Sequence, residues 1–160
     1  MATLRTDAGH QQAADPILGV VARMDAIAAP LDPNDGVARF NELYLAVTHA
    51  VFEETRNAHY ADPEFISRLD IVFADLYFAA VDTAAAGTSI PKAWAPLFEK
   101  RHTKGIAPIQ FAIAGMNAHI NHDLAVALVQ VCAERKVGIE DDSPMHRDHL
   151  AGHSTPARAG

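Results

Sequence analysis

The segment from Pro108 to Lys136 constrains the fold most, because it is predicted to be one long helix that is apolar on nearly every face. A helix of that kind is buried inside a protein, whereas a surface helix shows a single apolar stripe. Its apolar character is interrupted in the middle by Asn-Ala-His-Ile-Asn-His-Asp, residues 117–123, which we call the polar island. Such breaks in local consistency concentrate at functional sites.

Proline and glycine residues divide the rest of the chain into further helices. The pattern has no strand-like alternation of any length and no internal repeat. Helices are predicted over about 15–29, 37–57, 63–86, a short stretch opening at Pro91, about 108–136, and one last turn at about 144–150. With short connections between them, these segments predict an all-α fold, a compact single-domain bundle of five to six helices.

The helical domain is expected to cover residues 15–151. Residues 1–14 and 152–160 are polar and aperiodic, so they could not bury enough surface to offset the entropy of ordering. Both are therefore predicted to be disordered tails.

Composition excludes several classes of partner. The 160 residues include 13 basic and 20 acidic side chains, and the net charge of −7 argues against binding nucleic acid. No apolar run approaches the roughly 20 residues that a membrane span needs. The single cysteine, Cys132, cannot form an internal disulfide, which favours a cytoplasmic location. A small-molecule substrate is the partner that these exclusions leave.

Helical spacing sorts the polar island into two pairs. Asn117 and Asn121 lie four residues apart, and so do His119 and Asp123 on another face of the helix. A histidine stacked over a carboxylate is typical of acid–base chemistry, because the carboxylate fixes the imidazole tautomer and stabilises its protonated form. The two amides could hold a substrate carbonyl or an oxyanion.

A second carboxylate, Asp70, lies off the narrow solvent strip of the 63–86 helix. A desolvated carboxylate must be paired, hydrogen-bonded or neutral. We therefore expect Asp70 to lie within hydrogen-bonding reach of His119. Either Asp70 or Asp123 would then orient the His119 ring. Tyr44 and Tyr77 are more typical of core residues, but either could line a substrate pocket.

Three functions fit these residues. The first is a cofactor-free enzyme in which His119 is the general acid or base, and the substrate is a small, largely apolar carbonyl compound; proton transfer, cyclisation and hydrolysis are all compatible. The second is a metal-dependent hydrolase or oxygenase with zinc or iron, whose ligands would be His119, His122, Asp123 and Asp70. The third is a non-enzymatic domain whose buried polar network sets helix register.

Four strings spread along the chain carry a resemblance to a known family. They are RFNELYLAVTHAV, RLDIVFADLYFAA, PKAWAPLFEKR and FAIAGMNAHINHDLAVAL. They resemble the mainly bacterial family known as domain of unknown function 5995, over roughly residues 20–150. Its pattern is matched at Asp70, Asn117, His119, Asn121 and Asp123, whereas position 122 is unspecified. The resemblance implies one all-helical domain and leaves the chemistry open.

Overall fold

The computed structural model describes residues 16–57 and 60–137. Both predicted tails and the predicted turn at 144–150 lie outside these residues. Within them the chain is all-α, as predicted, and contains no strand. No helix in this part combines the length and the apolar character needed to cross a membrane.

Five helical rods make up the described chain, and the last of them has three parts. The elements are α1 (Pro16–Ala28), α2 (Gly36–Asn57), α3 (Pro63–Ala85), α4 (Ala95–Lys100), α5 (Pro108–Ala118), a π-helical turn (His119–Asp123) and α6 (Leu124–Arg135). The predicted long helix is thus confirmed as one continuous rod, but residues 119–123 of its polar island are wound as a π turn. The short helix begins at Ala95 and not at Pro91, because residues 92–94 form a turn ahead of it.

Local capping explains where the helices begin and end. The side chain of Asp62 accepts a hydrogen bond from the backbone N–H of Phe65 at 2.9 Å, and Pro63 takes the first position of α3. At the other end of that helix, Gly87 adopts a φ of 67°, a conformation that favours glycine.

The start of α2 is fixed by a buried ion pair. Asp35 is 4% exposed and accepts from the backbone N–H of Val37 at 2.8 Å. The Arg101 guanidinium, from the loop after α4, approaches the same carboxylate with Nη2 at 2.7 Å and Nε at 2.9 Å. These contacts attach the 101–105 loop to the beginning of α2. Removing one partner of such a buried ion pair destabilises the fold strongly, because it leaves the other charge uncompensated.

The central contact is a close approach of α5 to α2. A Cβ atom on Gly115 would come within 2.3 Å of the Phe40 ring, so only glycine lets the two helices pack at this distance. Beyond the π turn the rod leaves α2 and packs against α3, with Ala127 and Val131 in a second apolar cluster. The π turn therefore lies where the rod changes neighbours.

Candidate functional site

The π turn divides the polar island into an inner and an outer set. His119 and Asp123 are buried, with 1% and 2% exposure. Asn117 and Asn121 are exposed, and the Asn121 amide donates to the Asn117 carbonyl oxygen. His122 lies between the two sets with its side chain 48% exposed. The structure brings the predicted His–Asp pair together and places the two amides on the outer surface, apart from it.

The Asp123 carboxylate receives three N–H donors. His119 Nδ1 and the Trp94 indole Nε1 each lie 3.0 Å from Oδ2, and His122 Nδ1 lies 2.8 Å from Oδ1. Trp94 stands directly before α4, so this carboxylate connects α4 with the long rod. A buried carboxylate with three donors is well compensated for the loss of water.

The contact with Asp123 decides the state of the His119 ring. A carboxylate only accepts hydrogen bonds, so the proton of the neutral imidazole resides on Nδ1 and leaves a lone pair on Nε2. That Nε2 atom is buried and has no hydrogen-bond partner among the described residues. Burial lowers the pKa of His119, although the Asp123 hydrogen bond and charge oppose this effect. The ring is thus a neutral base whose basic nitrogen is unused.

Aromatic side chains enclose this imidazole. Phe73 stacks on it with ring centroids 3.6 Å apart and planes 6° from parallel, and Tyr44 meets it edge-on at 4.4 Å. The other rings near it lie about 6 Å away and belong to Phe40, Tyr77 and Trp94. Low polarity around the ring strengthens any electrostatic contact that forms there.

The two candidate tyrosines occupy different positions. Tyr77 is fully buried, and its hydroxyl donates to Asn41 Oδ1 at 3.1 Å, which makes it part of the core. Tyr44 lines a cavity in addition to contacting His119. Burial, followed by the charges of Asp70 and Asp123, raises the pKa of Tyr44, so its phenol stays protonated.

The predicted contact between Asp70 and His119 is wrong. His119 bonds to Asp123 through Nδ1 and to no described residue through Nε2. The reason is Phe73, which lies one turn beyond Asp70 on the same face of α3 and covers the imidazole instead. Asp70 is thereby kept out of the His119–Asp123 pair.

Asp70 instead lines a cavity of about 80 Å³ between α1, α2 and α3. Apolar side chains and Thr48 form the rest of its lining: Ile17, Val20, Tyr44, Val47, Val51 and Phe73. Val47 and Val51 are 37% and 41% exposed and form its outer wall. Burial raises the pKa of Asp70 to about 6. Tyr44 and Phe73 separate this cavity from His119 and contact both.

The metal-site interpretation finds no support in the geometry. Within residues 16–57 and 60–137 there is no group of three or more His, Cys, Asp and Glu side chains arranged to hold a metal ion. The two Nδ1 atoms of His119 and His122 face the oxygens of Asp123, so these nitrogens are hydrogen-bond donors and not free ligands. Asp70 lines the separate cavity described above.

Trp94 and Phe73 are the site residues that the sequence did not reveal. Trp94 is 29 positions from Asp123 in the chain, and an aromatic residue in a short helical segment is normally interpreted as core. Phe73 belongs to the apolar stripe of α3, which gives no signal that one of its rings will stack on an imidazole. A broader cleft of about 500 Å³ between the 32–35 and 102–108 loops shares no lining residue with this site.

A family model described as a family of unknown function, DUF5995, matches residues 17–153. The chain belongs to this family. The match covers the π turn, its buried pair and Asp70, and it confirms the resemblance recognised from the sequence. No curated protein and no solved structure matches the chain.

Proposed function

We propose that the protein is a cofactor-free acid–base enzyme in which His119 Nε2 moves a proton on a small, largely apolar carbonyl compound. One observation carries the proposal: a buried, neutral imidazole holds its basic nitrogen without a partner among the described residues. Nearly all buried polar atoms in proteins are hydrogen-bonded, so an exception at an oriented histidine calls for a functional reason.

The reaction that these residues support best is proton transfer at the carbon next to a carbonyl. Nε2 takes the proton, the C–H electron pair becomes the C=C bond of an enolate while the carbonyl π pair moves onto oxygen, and the imidazolium that results is stabilised by Asp123. Returning the proton to the same carbon, as the electron pairs move back, completes the cycle. No net oxidant or reductant is required, so the balance closes with these residues alone.

Tyr44 is the candidate donor to the carbonyl oxygen. Its ring contacts the imidazole, its raised pKa keeps the hydroxyl protonated, and it forms one wall of the cavity. A neutral hydroxyl donor in a site of low polarity stabilises developing charge on oxygen more strongly than it would in water. Rotation of the half-buried Phe73 side chain away from the imidazole opens the way from the cavity to Nε2.

The test is hydrogen–deuterium exchange at carbon. The full chain is incubated in D₂O with a panel of small ketones, aldehydes and esters, and the loss of the signal from the hydrogens beside each carbonyl is followed by proton NMR. We expect exchange of at least one compound to be catalysed by the wild type, abolished in His119→Gln and weakened in Tyr44→Phe. His49→Gln, which changes an exposed histidine of α2, is the control and should retain the rate.

The competing role is a buried polar network that specifies how α4 joins the long rod. The Trp94–Asp123 hydrogen bond favours it, because it joins the segment before α4 to the π turn. In that case no compound of the panel exchanges, and His119→Gln lowers the free energy of unfolding by several kcal/mol. A catalytic histidine is often replaced with little loss, or even a gain, of stability.

A further inference from the structure

The cavity at Asp70 has an unusual combination of walls. One carboxylate enters a space that is otherwise lined by aliphatic and aromatic side chains and a single threonine. Among the described residues, no hydrogen bond or ion pair of the Asp70 side chain is found, in contrast to Asp35 and Asp123, which each receive several donors. A carboxylate in such surroundings lacks the compensation that buried charges normally have.

A cationic ligand would compensate the Asp70 carboxylate in this cavity. The carboxylate supplies a charge-assisted hydrogen bond to an ammonium group, and the faces or edges of Tyr44 and Phe73 supply aromatic surface beside it. The aliphatic walls, Val20 and Val51 among them, suit a short hydrocarbon chain. A cavity of about 80 Å³ is roughly half of one that admits benzene in another protein, so the ligand is limited to about three non-hydrogen atoms, an ammonium nitrogen and about two carbons.

We propose that this cavity is a binding site for a small primary amine, with the ammonium group on Asp70 and the alkyl part between α1, α2 and α3. The amine site rests on the proposed function in one respect: it names a charged group that the substrate of that enzyme would carry. Binding in the cavity requires neither the His119–Asp123 pair nor any turnover.

The test is a titration of the methyl-labelled full chain with ethylamine at pH 7.5, followed by carbon–proton NMR of the valine methyl groups. Ethanol is the matched neutral probe and acetate the anionic one. We expect the amine to shift Val20, Val47 and Val51 saturably and to bind at least about tenfold more tightly than the alcohol, because a hydrogen bond to a charged group contributes about 1.5–3 kcal/mol. Acetate should not bind.

Three variants make the result decisive. Asp70→Asn should reduce the preference for amine over alcohol to near unity, while Asp75→Asn, an exposed carboxylate of the same helix, should retain it. Val47→Phe, made at a partly exposed wall position, should block both probes. Equal affinity for amine and alcohol in the wild type, or unchanged amine binding in Asp70→Asn or Val47→Phe, would overturn the proposal.

The same titration on His119→Gln separates the two proposals. Amine binding that persists in this variant, when the wild type catalyses no carbon exchange on any compound of the panel, supports the cavity and rejects the catalytic role. Carbon exchange without a preference for amines supports the catalytic role and rejects the ammonium site.

Discussion

Replacing Asp70 by asparagine should stabilise the protein, and the gain should depend on pH. The carboxylate has no described side-chain partner, and burial raises its pKa from 3.8 to about 6. At 1.36 kcal/mol for each unit of pKa, this difference corresponds to about 3 kcal/mol between the folded and unfolded states. Some exposure of the side chain makes this a ceiling, and we expect a measured gain of about 2–3 kcal/mol.

The sign follows from which state binds the proton more tightly. The folded protein holds the Asp70 proton up to about pH 6, whereas the unfolded chain releases it near 3.8. The stability contributed by this proton is therefore complete below pH 3.8 and lost as the pH rises through 6. An asparagine is always neutral, so Asp70→Asn should match the wild type near pH 4 and exceed it fully at pH 8.

Urea unfolding at several pH values measures this difference, with the wild type and both variants compared at each pH. Asp75→Asn removes an exposed charge from the same helix and controls for the change in net charge. A gain in Asp70→Asn that is the same at pH 4 and pH 8 would refute the argument from burial. A loss of stability at pH 8 would show that the carboxylate has a partner.

Three further substitutions test the packing and the polar contacts. Gly115→Ala, which places a Cβ within 2.3 Å of the Phe40 ring, should lower the free energy of unfolding in urea by about 1–3 kcal/mol. Gly19→Ala, in open space on α1, should raise it by about 0.5–1 kcal/mol. Equal effects of the two substitutions would contradict the close approach of α5 to α2. Arg101→Ala removes the guanidinium partner of the buried Asp35 carboxylate and should cost about 3–5 kcal/mol, against at most about 1 kcal/mol for Arg23→Ala at the exposed pair with Asp82. Trp94→Phe removes one hydrogen-bond donor from the Asp123 carboxylate. An NMR titration should then show a higher pKa for His119, because a carboxylate with fewer donors stabilises the imidazolium more strongly. An unchanged pKa would mean that the indole has no effect on the His119–Asp123 pair.

Local spacing predicted those parts of the site that lie on one helix. The four-residue separation of His119 and Asp123 was enough to predict their contact, and the same separation predicted that Asn117 and Asn121 lie one above the other, where the structure joins them by a hydrogen bond. The helical projection also placed Asp70 away from solvent. The projection could not predict which residue of α3 contacts His119, because Asp70 and Phe73 lie on the same face of that helix. In the structure the larger Phe73 side chain packs against the imidazole.

Contacts between distant segments gave no local signal. The Trp94 indole and the Asp123 carboxylate are both compatible with many neighbours, and only the packing of the segment that leads into α4 against the long rod brings them within 3.0 Å. The ion pair of Asp35 with Arg101 is similar, since each residue taken alone is typical of a solvated loop. Sequence therefore predicted the contact within the buried pair but not the enclosure around it.

The π turn, by contrast, coincides with a regular pattern of burial along the long rod. Every fourth residue of the long rod is buried: Phe111, Gly115, His119, Asp123, Ala127 and Val131. In a regular α-helix each four-residue step overshoots a full turn by about 40°, so Phe111 and Val131 would face about 200° apart. Under-winding at 119–123 reduces this rotation. The rotation that remains turns the buried face of the rod from α2, against which α5 packs, to α3, against which α6 packs. His119 lies at this crossover, where Tyr44 of α2 and Phe73 of α3 both reach its ring. A four-residue spacing of the buried positions, where 3.6 is the normal period, thus accompanies the under-wound turn, and the crossover explains why one aromatic side chain from each of α2 and α3 contacts the His119 ring.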